Sequence, residues 1–227
     1  MLGTIVNSIA IIIGSFAGII LKKGIKDEYK NTIMDGIGLS VIIIGIIGGI
    51  KAQNIILIIG SIVLGSIIGE IIGVERRLNQ LGDNMEKRFG KGDSNFSKGF
   101  ITASLVYCIG AMAIVGSLES GLIGNHETLF AKSVLDGISA IIFASTLGIG
   151  VAFSAIPVFL YQGSITLLAN VVKDFMTPDV INEMSAVGGI LIMAIGINIL
   201  EIKKIKIGNM LPAIFIPIIY FLLTGLF

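Results

Sequence analysis

An ionisable side chain inside a long apolar run is costly, and by default it marks a pathway or a binding site. The sharpest instance in this chain is Asp136, which follows Lys132 by four positions and precedes Ser139 by three. In a helix that spacing puts all three on one face. The chemistry it allows is binding or coupling of a cation or a proton, with Lys132 as partner. A salt bridge near the outer end of a helix would use the same pair. Gln162, Thr166 and Asn170 recur at every fourth position, a polar stripe that must face protein or a water-filled path rather than lipid. Hydrogen-bonded contact between helices is the other use of such a stripe. Asn7 and Asn198 lie near the ends of apolar runs, Glu183 and Ser185 open one, and Asn209 begins the last. Glu70 lies close to Glu75, Arg76 and Arg77, where pairing or snorkelling explains it as well as function does.

Other chemistries lack their residues. The chain has one cysteine, Cys108, and one histidine, His126, so a His-rich metal site or an intramolecular disulfide cannot form within it. There is no phosphate-cradling glycine loop and no nucleophile elbow. Asp179 and Glu183 are too isolated to act as an acid–base pair. A net charge of +1 gives no basic excess for nucleic acid. The expectation is neither an enzyme nor a cofactor carrier.

The elements that must position these residues are membrane helices. Of 227 residues, 54% are hydrophobic and only 14% charged, with a mean hydropathy of +0.98. A soluble domain of this size could not hide that much apolar surface. Stretches approaching the roughly 20 residues a bilayer core needs run over Leu2–Leu21, Asp35–Ile50, Asn54–Val74, Phe100–Leu118, Ser133–Ala152, Ala155–Val172, Ser185–Leu200 and Met210–Phe227. The shorter ones are expected to extend into their flanks. Ser154 and Pro157 mark the break between the fifth and sixth spans, and Pro212 is expected to begin the eighth helix. The first span lacks the preceding charge of a signal peptide and is too long for one. Of the 16 Lys and Arg, all but Lys51, Lys132 and Lys173 fall in odd-numbered connections. This places those connections in the cytoplasm and both termini outside, in the inner or plasma membrane. With no Trp in the chain, four tyrosines, Tyr29, Tyr107, Tyr161 and Tyr220, are left for the interface.

Between spans three and four, residues 75–99 repeat Leu78, Leu81, Met85 and Phe89 among charges. They read as an amphipathic helix, either on the cytoplasmic leaflet or as a solvated linker. The small, uncharged run Ser145–Gly150 could unwind and offer carbonyls to an ion, or simply pack closely. Gly14/Gly18 and Gly65/Gly69 are packing motifs.

The chain also repeats itself. Ile13-Gly14-Ser15, Gly38, Gly45-Ile46 and Asn54 are answered at near-constant spacing by Gln162-Gly163-Ser164, Gly189, Gly196-Ile197 and Asn209. Spans one to three would therefore recur as spans six to eight with opposite orientation, the inverted repeat common in secondary transporters. A weaker echo pairs Met34-Asp35-Gly36-Ile37 with Leu135-Asp136-Gly137-Ile138. The expected fold is all-α and polytopic, with about eight transmembrane helices in one membrane domain. Residues 1–74 form the first repeat, 75–99 the linker helix, 100–152 spans four and five, and 153–227 the second repeat.

Several motifs together resemble the YqgA-like bacterial membrane proteins, the domain-of-unknown-function family numbered 554. They are Gly3-Thr4 with Asn7 and Gly14, Gly69-Glu70, Cys108–Ile114, Lys132–Asp136, Tyr161-Gln162-Gly163, Glu183–Gly189 and Asn209–Ala213. The resemblance runs from end to end. It implies a multi-span membrane protein with no established substrate. With the polar residues above, the leading expectation is a small secondary transporter or channel for a small solute or ion. Asp136 would bind or couple, Gln162, Thr166 and Asn170 would line the path, and Asn7 and Asn198 would add hydrogen bonds. The alternative is a scaffold or sensor acting through the 75–99 helix. The bilayer is an expected partner in either case, and Gly-rich faces invite homo-oligomers.

Overall fold

In a computed structural model, the structure describes residues 1–22, 27–89 and 95–225. Lys23, Lys26 and Lys91, which carry part of the charge argument, lie outside the described residues, as does the end of the last span. The described residues form helices and connections and no strand. In chain order these are α1 (Leu2–Lys22), α2 (Asp27–Gly49), α3 (Ile55–Ile72), α4 (Val74–Phe89), α5 (Phe96–Cys108), α6 (Ala111–Leu122), α7 (Glu127–Leu147), α8 (Gly150–Phe153), α9 (Ala155–Leu167), α10 (Ala169–Val172), α11 (Pro178–Ile199), α12 (Ile207–Met210), a 3₁₀ turn (Leu211–Phe215) and α13 (Ile216–Thr224). Among the described residues, seven stretches are long and apolar enough to cross a bilayer, or eight if α5 and α6, bent by 61°, count as one span. Their outer faces carry Ile56, Ile71 and Leu223 at 79%, 80% and 83% exposure. Such faces are stable only where the solvent is lipid. The protein is an all-α polytopic membrane protein.

The helix limits follow from local chemistry. Thr177 caps α11 by accepting from the backbone N–H of Val180, with Pro178 in the first turn, where its missing N–H costs nothing. Asn54 caps α3 in the same way, accepting from Leu57. Three sequence expectations are corrected. The break after the fifth span comes first at Gly148, whose φ of 79° and ψ of −162° suit glycine almost alone; Ser154 makes a second interruption, and Pro157 sits inside α9. The last span begins at Ile207, with Pro212 inside the 3₁₀ turn that divides α12 from α13. Tyr107 is buried at 1% exposure and stacks on Phe143, so it is not an interfacial residue. The short spans do extend into their flanks, and α7 begins six residues ahead of Ser133 at Glu127. That extension brings Lys132 inside the helix rather than leaving it in a loop.

The chain divides into two compact units. The first comprises residues 1–37, 79–108 and 112–170. Here α1 lies parallel to α7: Gly14 abuts the carbonyl of Gly137, and one turn on Gly18 abuts that of Ile141. Neither glycine has room for a methyl group, which is the packing use of this motif. Helices α8 and α9 also pack on α1, and α5 packs on α8. Ile11, Phe96, Leu129, Phe143 and Val158 form the apolar core.

The second unit comprises residues 38–78, 109–111 and 171–227. In it α2 and α11 run antiparallel, Gly45 meeting Gly189 and Gly38 meeting Gly196. Helix α3 runs antiparallel to the last span, Gly65 abutting Ala213 and Gly69 abutting Asn209. Val41, Ile58, Val187, Leu191 and Ala213 are buried there.

Candidate functional site

Three polar residues of the first unit, Asn7, Lys132 and Asp136, meet where α1 packs on α7. Parallel packing sets the first turns of α1 beside those of α7, and this brings Asn7 to Asp136. The Asn7 amide nitrogen donates to Asp136 Oδ2 at 3.0 Å. Lys132 Nζ lies 2.9 Å from Oδ1 and 2.8 Å from Oδ2. Asp136 is 5% exposed, Lys132 7% and Asn7 0%. A buried ion pair persists only when its geometry is good and further hydrogen bonds support it; the bidentate lysine and the Asn7 amide provide both. Ser139, expected on this face, turns away from the carboxylate. Its hydroxyl donates to the backbone carbonyls of Leu135 and Asp136 at 2.8 and 3.0 Å.

Gln162 and Thr166 of α9 belong to the same unit and are buried, at 0% and 7% exposure. Neither end of the Gln162 amide has a hydrogen-bond partner in the protein, and the Thr166 hydroxyl has none. Asn170 does not continue the stripe: α9 ends at Leu167 and Asn170 lies exposed in α10. Thr4, Ser8 and Ser117 complete the buried unpartnered set of the unit, with the oxygen of Asn7. Sequence reasoning missed these three. Thr4, Asn7 and Ser8 stand at i, i+3 and i+4, the spacing of one helix face, and that signal could have found two of them. Each orphaned buried polar group costs about 1–3 kcal/mol. Summed over this set, the cost rivals the roughly 5–15 kcal/mol stability of a whole domain. Polar surroundings of this kind are met by water or by a polar solute.

The candidates of the second unit make structural contacts, although Glu183 Oε2 is buried without a partner. Glu183, 2% exposed, accepts the backbone N–H of Gln53 and of Asn54 at 3.0 and 2.8 Å through Oε1. That places a carboxylate at the start of α3, where the helix dipole favours it. Ser185 donates to the carbonyl of Ile181 at 2.6 Å. Asn198 clamps a turn, donating to the carbonyl of Ile205 at 2.8 Å and accepting its N–H at 2.7 Å. Asn209 donates to Glu70 Oε2 and accepts from the backbone of Glu75 at 2.7 Å. Glu70 also pairs with Lys206 at 2.8 Å, both side chains well exposed. The Glu70 carboxylate raises the Lys206 ammonium above the ordinary lysine value.

Helix α4 is amphipathic, as residues 75–99 suggested, but part of its face is spent internally. Gly82 packs on Ser97, Glu86 accepts the N–H of Ser97 at 3.2 Å, and Phe89 lies 5.0 Å from the ring of Phe153.

Known proteins align with the chain over nearly all its length. It is 42% identical over 223 residues to the "Uncharacterized membrane protein YdfK" of Bacillus subtilis (strain 168), covering 96% of this chain and 94% of that one. It is 29% identical over 219 residues to the "Uncharacterized protein YqgA" of Escherichia coli (strain K12), covering 94% and 93%. No solved structure matches it. Residues 2–222 match the family described as "Protein of unknown function (DUF554)", and the chain belongs to that family.

Proposed function

We propose that this protein is a small secondary transporter or channel whose solute path runs through the first unit, past Asn7, Lys132, Asp136, Gln162 and Thr166. The observation that carries the reading is a set of buried polar side chains in membrane spans, among which Gln162 and Thr166 have no protein partner. Hydrogen bonding between helices alone would have paired them. An inverted repeat supports it further. If Gly38 and Gly45 correspond to Gly189 and Gly196, a two-fold axis requires crossed contacts, and Gly45 meets Gly189 while Gly38 meets Gly196. In the membrane the Lys and Arg bias puts both termini outside.

The scaffold reading has less behind it, because Gly82 of α4 is buried against Ser97 of α5 rather than open to an outside partner. Its remaining support is the exposed Leu81 and Phe89 on the same helix as exposed Lys87 and Arg88, a surface suited to anionic lipid.

The test is a thermal-shift panel on the detergent-purified protein, with ions, pH steps, polyols, amides, amino acids and nucleobases. A ligand at roughly a hundredfold excess over its Kd stabilises by about 2.7 kcal/mol. A stabilising compound whose effect is lost in Asp136→Asn and Gln162→Leu supports the reading. A stabilising compound indifferent to both variants places its site elsewhere and sinks the assignment of the path.

A further inference from the structure

We infer that the solute taken by this path is a small uncharged molecule bearing both hydrogen-bond donors and acceptors, a polyol or carboxamide rather than an ion. The inference rests on the path proposed above and names its substrate class. The ionisable pair on it, Lys132 with Asp136, is self-contained. Lys132 Nζ reaches both oxygens of Asp136, and Asn7 donates to one of them. Whichever partner holds the shared proton, the pair carries no net charge. A cation would have to displace the lysine, and an anion would have to displace the carboxylate. Either exchange leaves a buried charge uncompensated, which is strongly unfavourable.

The atoms left with free capacity are all neutral: the hydroxyls of Thr4, Ser8, Ser117 and Thr166, the Asn7 oxygen, and both ends of the Gln162 amide. Six of these seven atoms are oxygens, as in the cages of hard cations, but the carboxylate such a cage would draw on is already held by Lys132. An anion site gathers N–H donors. Gln162 brings a donor and an acceptor together on one rigid plane, and each hydroxyl can turn to do either. This mixture matches a solute that is itself mixed. The other ionisable side chains of α6, α7 and their connection lie toward the end of the unit: Glu119 accepts from Thr128 at 2.6 Å, His126 bonds Ser120 at 3.0 Å, and Glu127 is exposed.

Proteoliposomes containing the full chain decide it. Stopped-flow light scattering reports entry of glycerol, urea and acetamide, while parallel vesicles report movement of K⁺, Cl⁻, acetate and lysine. The expected result is accelerated entry of at least one neutral solute over protein-free vesicles. Gln162→Leu should reduce that entry about tenfold, the equivalent of one lost hydrogen bond. Thr166→Val, close in shape and lacking only the hydroxyl, guards against a folding defect in the first variant and should also slow entry. Ion flux that falls in these variants, without neutral flux, would keep the path and overturn the neutral class. No flux of any probe would overturn both.

Discussion

At the scale of single residues, the Lys132–Asp136 pair is a structural commitment as much as a functional one. Replacing Lys132 by Met leaves Asp136 buried beside Asn7 alone. Breaking one side of a buried pair costs about 3–5 kcal/mol, so the single variant should unfold well below the parent in detergent. The double variant Lys132→Met with Asp136→Leu removes both charges and should recover most of that loss while losing flux. A double variant no more stable than the single would mean that the loss comes from something other than the uncompensated Asp136 charge. The exposed Glu70–Lys206 pair behaves differently. Its contribution is present below the ordinary lysine value of 10.5 and fades only as pH rises through the raised value. The stability difference between the parent and Lys206→Met should therefore hold steady from neutral pH to about 10 and shrink beyond. A difference that disappears below that range would assign it to something other than the pair.

At the scale of elements, glycine decides where helices stop and how near they come. Gly148 adopts a backbone conformation closed to other residues, so Gly148→Ala should cost about 1–3 kcal/mol. An unchanged unfolding temperature would show that the α7–α8 break relaxes freely. Much of this level was legible in the sequence. The spans could be read from apolar length, Lys132 and Asp136 share a face at i and i+4, and Gly14 and Gly18 mark a packing seam. The break was set too late because proline is a louder signal than a glycine among small residues, although Gly148 alone can take the required φ. Asn7's bond to Asp136 was not legible at all. It depends on which helices become neighbours, and hydropathy is silent on that. Asn170 failed for a related reason: its spacing was right, but α9 ended first.

At the scale of the molecule, the exposed isoleucines and leucines of the spans make the bilayer the solvent, and basic residues orient the chain within it. Fusing alkaline phosphatase to the C-terminus should give an active enzyme, and fusing green fluorescent protein there should give a dark one, if both termini lie outside as proposed. The reverse pattern would mean an odd number of crossings, which would leave the repeat without its opposite orientation, or an insertion of the whole bundle the other way up, which would keep it.

The central claim, a polar path through the first unit, is tested most directly by thiol accessibility. In a chain carrying Cys108→Ala, cysteine is placed at Thr166, which is buried with its hydroxyl unpartnered, and at Leu160, an exposed apolar position of the same helix. A membrane-impermeant methanethiosulfonate is then added to intact cells. The expected result is labelling at Thr166→Cys and none at Leu160→Cys, since only the path admits water. Silence at Thr166→Cys, with the protein folded and in the membrane, would contradict the path and return Gln162 and Thr166 to the role of hydrogen-bonding residues inside a closed bundle.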